Sequence, residues 1–198
     1  ASDVYKRQVY KNSDLYILLS ESFISEFEKI SRLKNLKKIR LISNPITIAN
    51  EDFIYNFERK EKQIIFVGRL EYTQKRIERI LNVWGKIQSE YKDWELTIVG
   101  DGPDILRLKN ITEIKNIQSV KFVGFQNPKS FYEKASILLL TSDYEGFPLT
   151  ITESMNFGVI PIVYGSYSAA YDIISDNYSG MISLSLIHIS EPTRLGMI

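Results

Sequence analysis

Five short apolar runs, Ile64–Val67, Leu96–Val99, Val120–Val123, Ile137–Leu140 and Ile160–Val163, constrain the fold most strongly. Each reads as a strand, Ile64–Val67 as a buried one and Ile137–Leu140 with the length and character of one buried on both faces, and each ends in a turn that opens a helical pattern. After the first run, Ile77, Ile80, Leu81, Trp84 and Ile87 recur at helical spacing, which makes Trp84 a core residue rather than a ligand platform. After the second, Gly100-Asp101-Gly102-Pro103 leads to a helix presenting Ile105, Leu106 and Leu108, with Pro103 placed to open it. Gly124-Phe125 precedes a short helix with Phe131 and Tyr132, and a Gly/Ser loop precedes the pattern Ala169–Ile174 and a turn over Asn177–Gly180. Strand and helix alternating through short connections predict an α/β fold, a parallel sheet covered on both faces and joined by right-handed crossovers. Ligands of such a sheet bind beyond the carboxyl ends of its strands. Gly68-Arg69, Gly100-Asp101-Gly102, Gly124-Phe125 and Tyr144–Leu149 all fall at such ends and converge on one rim. The glycine-rich piece at 100–103 matches neither the dinucleotide fingerprint nor the Walker loop, so it reads as a tight turn with a ligand role left open.

The chain before Ile64 is less regular. Leu15–Leu19 reads as a buried strand, Ser20 as an N-cap, and Phe23, Ile24, Phe27 and Ile30 as one apolar helix face. The basic stretch Arg32–Arg40 ends in a second short strand, Ile39–Ile42; it reads as a solvated helix end with cations at the favourable pole, or as a patch for anionic lipid. Asn44-Pro45 breaks the pattern, and the residues up to Lys62 form a polar surface connection. With 25 basic and 24 acidic residues, net +1, there is no overall field to recruit nucleic acid or an anionic membrane. There is no cysteine, and the one histidine, His188, lies near the C-terminus. Thiolate chemistry, serine–histidine triads and histidine metal sites are thereby removed from the body of the chain. No apolar run reaches the roughly 18 residues of a membrane span, and the first residues lack a signal-peptide core, so a soluble, cytoplasmic protein is expected.

Most of the chemistry lies in Thr141–Phe157. Glu145 falls in the loop after the fourth apolar run and Glu153 one to two turns into the next helix, with Pro148 in its first turn. The amides of Gly146, Phe147, Leu149 and Thr150 then lack helix acceptors near the positive end of the helix dipole, where a phosphate can be held. Phosphate repels a carboxylate, whereas vicinal hydroxyls can donate two hydrogen bonds to one, so a phosphate joined to sugars satisfies both demands. The ordinary alternative is that both glutamates are solvent-facing charges.

Taken together, GRLEYTQK at 68–75, IVGDGP at 98–103 and EGFPLTITE at 145–153 resemble the nucleotide-sugar domain of retaining GT-B glycosyltransferases of the large family 4 type, glycosyl transferases group 1. Matching motifs run from about Ile64 to Gly180, and residues 9–43 resemble the end of the preceding acceptor domain, with Asn44-Pro45 at the interdomain crossing. The resemblance implies a Rossmann-like parallel sheet, the C-terminal half of a GT-B fold. It implies that Gly68, Arg69 and Lys75 grip the donor diphosphate, that Glu145 contacts the transferred sugar and Glu153 the ribose, and that the loop Phe122–Gln126, Phe125 included, meets the base. Gly146, Phe147, Pro148, Leu149 and Thr150 complete that donor site. Arg69, Lys75 and Glu145 are the implied catalytic residues, the cations and helix amides stabilising the departing nucleoside diphosphate without a metal. No cofactor is expected beyond the donor, a UDP- or GDP-sugar, and no nucleic acid. The implied function is retaining transfer of a hexose to a glycan or lipid-linked acceptor in cell-surface polysaccharide assembly, at the inner face of the membrane, with peripheral attachment through the other domain. A noncatalytic nucleotide-binding module predicts loss of Arg69, Lys75 or Glu153, all of which are present; a GT-B-type sugar-nucleotide epimerase would call on histidine near the sugar.

The expected organisation is an end of the acceptor domain at 9–43 and a nucleotide-sugar domain at 44–183. Residues 1–8 and 184–198 resemble translated sequencing-adapter read-through and are expected to be foreign to the domain, so His188 and Pro192 carry no functional argument. The alternative for the ends is a frayed terminus and a short strand at Leu186–Ile189. The glycine-rich loop, acceptor pocket and returning final helix of a complete enzyme are expected to be missing, leaving a piece that binds a diphosphate without transferring sugar.

Overall fold

The computed structural model describes residues 2–50 and 57–184. Helix α1 (Ser2–Asn12), strand β1 (Tyr16–Leu18), helix α2 (Ser22–Ser31) and strand β2 (Ile39–Leu41) come first, and β1 pairs with β2 in parallel. Strands β3 (Glu61–Val67), β4 (Glu95–Val99), β5 (Val120–Gly124), β6 (Ala135–Leu140), β7 (Ile160–Tyr164) and β8 (Met181–Ser183) form a second, wholly parallel sheet in the order β5-β4-β3-β6-β7-β8. Helices α3 (Tyr72–Lys75), α4 (Ile77–Ile87), α5 (Ile105–Ile114), α6 (Lys129–Lys134), α7 (Leu149–Asn156) and α8 (Ala169–Ile173) connect them and cover both faces, as the alternating pattern requires.

The strand order follows from where the apolar runs are most complete. Ile65, Phe66, Leu96, Ile98, Leu138 and Val163 are fully buried in the middle strands, whereas β5 and β8, at the edges, are only partly covered. From β3 the chain winds outward through β4 to β5, then returns to the other side of β3 as β6 and winds away again. This reversal between β3 and β6 is the topological switch point of the sheet, at whose carboxyl edge doubly wound sheets take ligands. Among the described residues no helix is long and apolar enough to cross a membrane.

Several local expectations are corrected. Strand β1 is not buried on both faces: it pairs only with β2, and Leu15 and Ile17 are 56% and 54% exposed. Ser20 is not an N-cap. Helix α2 starts at Ser22 with no side-chain cap, because the Ser20 hydroxyl donates instead to the Asp172 carboxylate. Of the predicted apolar face only Phe27 is buried, stacked among Tyr10 and Tyr16, while Ile30 is exposed. The basic stretch serves the pole of α1 rather than that of α2, since Lys38 Nζ donates to the carbonyls of Lys11 (2.9 Å) and Ser13 (2.7 Å). Pro103 lies in the turn before α5, whose flanking residue is Asp104, and Leu106 faces solvent while Leu108 is buried. Pro148 flanks α7 from outside, with an extended ψ of 90°, rather than standing in its first turn. Leu186–Ile189, His188 and Pro192 lie outside the described residues.

Candidate functional site

The loop after β3 and the loop after β6 are laced together by their own backbones. The Asp143 amide donates to the Gln74 carbonyl at 2.8 Å, and the Thr141 hydroxyl to the Arg76 carbonyl at 3.0 Å. Arg76, at φ 54°, ends α3 in the left-handed region and starts α4, which turns the chain so that α3 stays at the rim. Arg79 of α4 reaches back to the Thr141 carbonyl at 3.0 Å and pairs with Asp143 at 2.5 Å. Because both loops leave adjacent strands in the same direction, Lys75 and Glu145 meet across the switch point, Nζ to Oε1 at 2.6 Å. Their side chains are 20% and 8% exposed, so the pair is largely withdrawn from water. Ser142 Oγ (2.7 Å) and Gln74 Nε2 (3.2 Å) also donate to the Glu145 carboxylate.

Glu153 stands apart from that pair, 5% exposed on α7. Its carboxylate accepts from the hydroxyl of Thr47, in the segment between the two sheets, and from that of Tyr132 at 3.2 Å. Tyr132 is fully buried; burial first, and the Glu153 charge second, hold its pKa far above the ordinary phenol value, so it remains a donor. Lys60 donates to the Tyr132 carbonyl at 2.8 Å, and burial lowers its pKa to about 8 against an opposing pull from Glu133. The expectation of two glutamates facing solvent is excluded for both side chains.

Three of the remaining site residues line an apolar cleft of about 730 Å³ at the carboxyl ends of β3, β4 and β5. Gly68, Arg69 and Phe125 contribute to its walls together with Gly100, Gly102 and Asn127. Arg69 is 70% exposed at its side chain, with Glu71 its ion-pair neighbour at 3.8 Å, and Phe125 is 87% exposed. Gly146 is open: a Cβ built there meets nothing within 4 Å. Leu149 and Thr150 are the first residues of α7, so their amides have no acceptor one turn earlier. Pro148 is buried behind them and Phe147 half-buried. The predicted residues thus form four groups: Gly68, Arg69 and Phe125 at the cleft, Lys75 with Glu145 at the switch point, Gly146, Phe147, Pro148, Leu149 and Thr150 at the start of α7, and Glu153 buried on α7 itself.

Sequence reasoning missed Gln74, Ser142, Thr47, Tyr132 and Tyr167 as neighbours of the two glutamates. Gln74 and Ser142 adjoin recognised motifs and could have been found there. Thr47 and Tyr132 carry no local signal, since 106 and 21 residues separate them from Glu153.

The sheet order, the cleft at the carboxyl ends of its strands and the rim of motif residues define an α/β domain of the GT-B kind. The chain belongs to the family described as Glycosyl transferases group 1, whose match covers residues 47–184. It is 32% identical over 167 residues to the GalNAc-alpha-(1->4)-GalNAc-alpha-(1->3)-diNAcBac-PP-undecaprenol alpha-1,4-N-acetyl-D-galactosaminyltransferase of Campylobacter jejuni, covering 81% of this chain and 45% of that protein. It is 30% identical over 149 residues to the lipopolysaccharide 1,6-galactosyltransferase of Escherichia coli K12, covering 72% of this chain and 41% of that one. Among solved structures, a variant of S. aureus TarM in complex with fondaparinux, alpha-GlcNAc-glycerol and UDP superposes with a TM-score of 0.81 at 22% identity, over 96% of this chain and 38% of that one. The chain therefore spans about half the length of the curated relatives it matches.

Proposed function

We propose that this chain is the donor-binding part of a glycosyltransferase that moves a hexose from a UDP-sugar to a glycan or lipid-linked acceptor in cell-surface polysaccharide or glycolipid assembly. The observation that carries this reading is the meeting of Lys75 and Glu145 across the switch point, with Lys75 Cε 3.8 Å from where a Cβ on Gly68 would stand, next to the cleft that Gly68 and Arg69 line. Cleaving a sugar–diphosphate bond builds negative charge on the departing nucleoside diphosphate. Two cations and a helix N-terminus, held by the fold before reaction, stabilise that charge more in the transition state than in the ground state. Glu145 is then the carboxylate toward the sugar and Glu153 the one toward the ribose, with Phe125 offering a ring to the base. Retention of anomeric configuration and a hexose donor are part of the proposal. The donor sugar draws support from the galactosyl and N-acetylgalactosaminyl transfers for which the relatives are named, and UDP as the carrier from the TarM complex; retention rests on the motif resemblance. An undecaprenol-linked or lipopolysaccharide acceptor would place the work at a membrane face.

Calorimetric titration of the 198-residue chain with UDP and with GDP tests the donor site. UDP is expected to bind, and Arg69→Ala to lose about 1.5–3 kcal/mol of that binding, the usual range for a charged hydrogen bond. Binding of neither diphosphate, or full affinity in Arg69→Ala, would overturn the assignment.

A further inference from the structure

Tyr167 lies in the loop between β7 and α8, 7% exposed, and its phenolic oxygen has no hydrogen-bond partner among the described residues. A buried hydroxyl left unpaired is rare and calls for a reason, because withdrawal from water is not repaid by a bond inside the protein. The loop that carries it is fastened to the Glu145 loop: Ser166 Oγ donates to the Ser142 carbonyl, and Ser142 Oγ to Glu145. Burial raises the Tyr167 pKa and the charge of Glu145 raises it further, so the hydroxyl stays protonated and able to donate. At the other glutamate the corresponding arrangement is complete, with the buried Tyr132 hydroxyl donating to Glu153 at 3.2 Å.

We propose that Tyr167 is a positioning residue that takes hold of the Glu145 carboxylate when Lys75 leaves it for the donor diphosphate. The proposal rests on the donor-site reading above. In the present structure Glu145 is held by Lys75, Ser142 and Gln74. A diphosphate competes for the same ammonium. With its side chain only 8% exposed, the carboxylate cannot replace that partner freely from water, so the replacement must come from the protein. The Tyr167 O–H is the unused donor on that side. The exchange keeps Glu145 ionised and fixed toward the sugar while freeing Lys75 for the phosphate.

The test is UDP titration of the 198-residue chain carrying Tyr167→Phe, Glu145→Gln or both, with Arg69→Ala as the control for the donor site. Tyr167→Phe is expected to bind UDP about tenfold more weakly, in line with the loss of one hydrogen bond to a charged group. Its melting temperature should be unchanged or higher, since the hydroxyl has no partner to lose in the free protein. In the Glu145→Gln background the same substitution should change nothing. As a second readout, the ring Cζ resonance of Tyr167 in tyrosine-labelled protein should move on adding UDP, and stay in place in Glu145→Gln. Wild-type affinity in Tyr167→Phe alongside weakened Arg69→Ala would overturn the role of Tyr167 and leave the donor site standing. An equal loss in both backgrounds would show that Tyr167 does not act through Glu145. Failure of the wild type to bind UDP would overturn both readings.

Discussion

Arg69 and Lys75 reach the same rim with different structural duties. The Arg69 guanidinium is mostly in water, 3.8 Å from Glu71, so Arg69→Ala should leave stability within about 0.5 kcal/mol while weakening UDP binding. Lys75 neutralises a carboxylate that is itself withdrawn from solvent, and Lys75→Met strands that charge. Its expected destabilisation is about 1.5–3 kcal/mol, the lower end being favoured because Ser142 and Gln74 still donate to Glu145. The double variant Lys75→Met/Glu145→Gln should recover most of that loss, since the uncompensated charge is gone. Urea midpoints for the three variants decide it: equal losses in the Lys75 single and the double would show that the pair carries no such coupling. Glu145→Gln alone releases the ammonium from its competitor and should bind UDP at least as tightly as the wild type. The residues themselves stand out in the motifs at 68–75 and 145–153, but their pairing does not. Seventy residues separate Lys75 from Glu145, and only the reversal of strand order between β3 and β6 brings them together. Tyr167 was invisible for the same reason, sitting in a Gly/Ser loop with no periodicity to mark it.

At the scale of elements, the loop over Gly100-Asp101-Gly102-Pro103 shows why a weak motif can still be fixed by packing. Gly100 has φ +145°, and a Cβ built on it would lie 1.9 Å from the Gly68 carbonyl oxygen; one on Gly102 would lie 2.4 Å from that of Leu70. The turn after β4 is pressed onto the turn after β3, with the Leu70 amide donating to the Asp101 carbonyl at 2.9 Å. Gly100→Ala should therefore cost at least about 1–3 kcal/mol from backbone strain, with the backbone collision added to it. It should also weaken UDP binding by displacing Gly68 and Arg69, and a wild-type melting temperature for this variant would refute the close approach. The apolar runs of β3, β4, β6 and β7 made those strands readable, because burial on both faces writes itself into consecutive residues, four in β3, β4 and β6 and three in β7. Strand β8 was missed since Met181–Ser183 is three residues long at a sheet edge and ends in a serine. Leu106 lies off the buried face of α5 because Ile105 and Leu108, three residues apart, share that face, and one residue on from Ile105 the side chain turns toward solvent.

At the scale of the molecule, the first fifty residues meet the main sheet largely through polar contacts. Ser20 Oγ and the Ser22 amide, the latter at 2.9 Å, donate to Asp172 of α8, Ser168 Oγ donates to Glu26 of α2, and the Asn50 amide donates to Asn156 of α7. A junction of this composition, with Phe23 as a partly buried apolar contact, is one across which two units can move. Asp172 makes it dependent on pH. Partial burial pulls its pKa upward, but the hydrogen bonds from Ser20, from the Ser22 amide and hydroxyl, and from the Glu21 amide outweigh that and hold it below the ordinary carboxylate value. The sign follows from the depressed folded pKa: the contribution is fully present above the unfolded value of about 3.9 and is lost as pH falls through the folded one. Amide hydrogen exchange of the wild type and Asp172→Ala should then show weaker protection of α2 in the variant at pH 7, with β3 and β6 unchanged in both. The difference should shrink once the pH drops below about 3.9, where Asp172 begins to protonate in the wild type as well. Equal protection of α2 in the two proteins at pH 7 would mean that Asp172 does not hold the junction, and that the apolar contact of Phe23 does so instead.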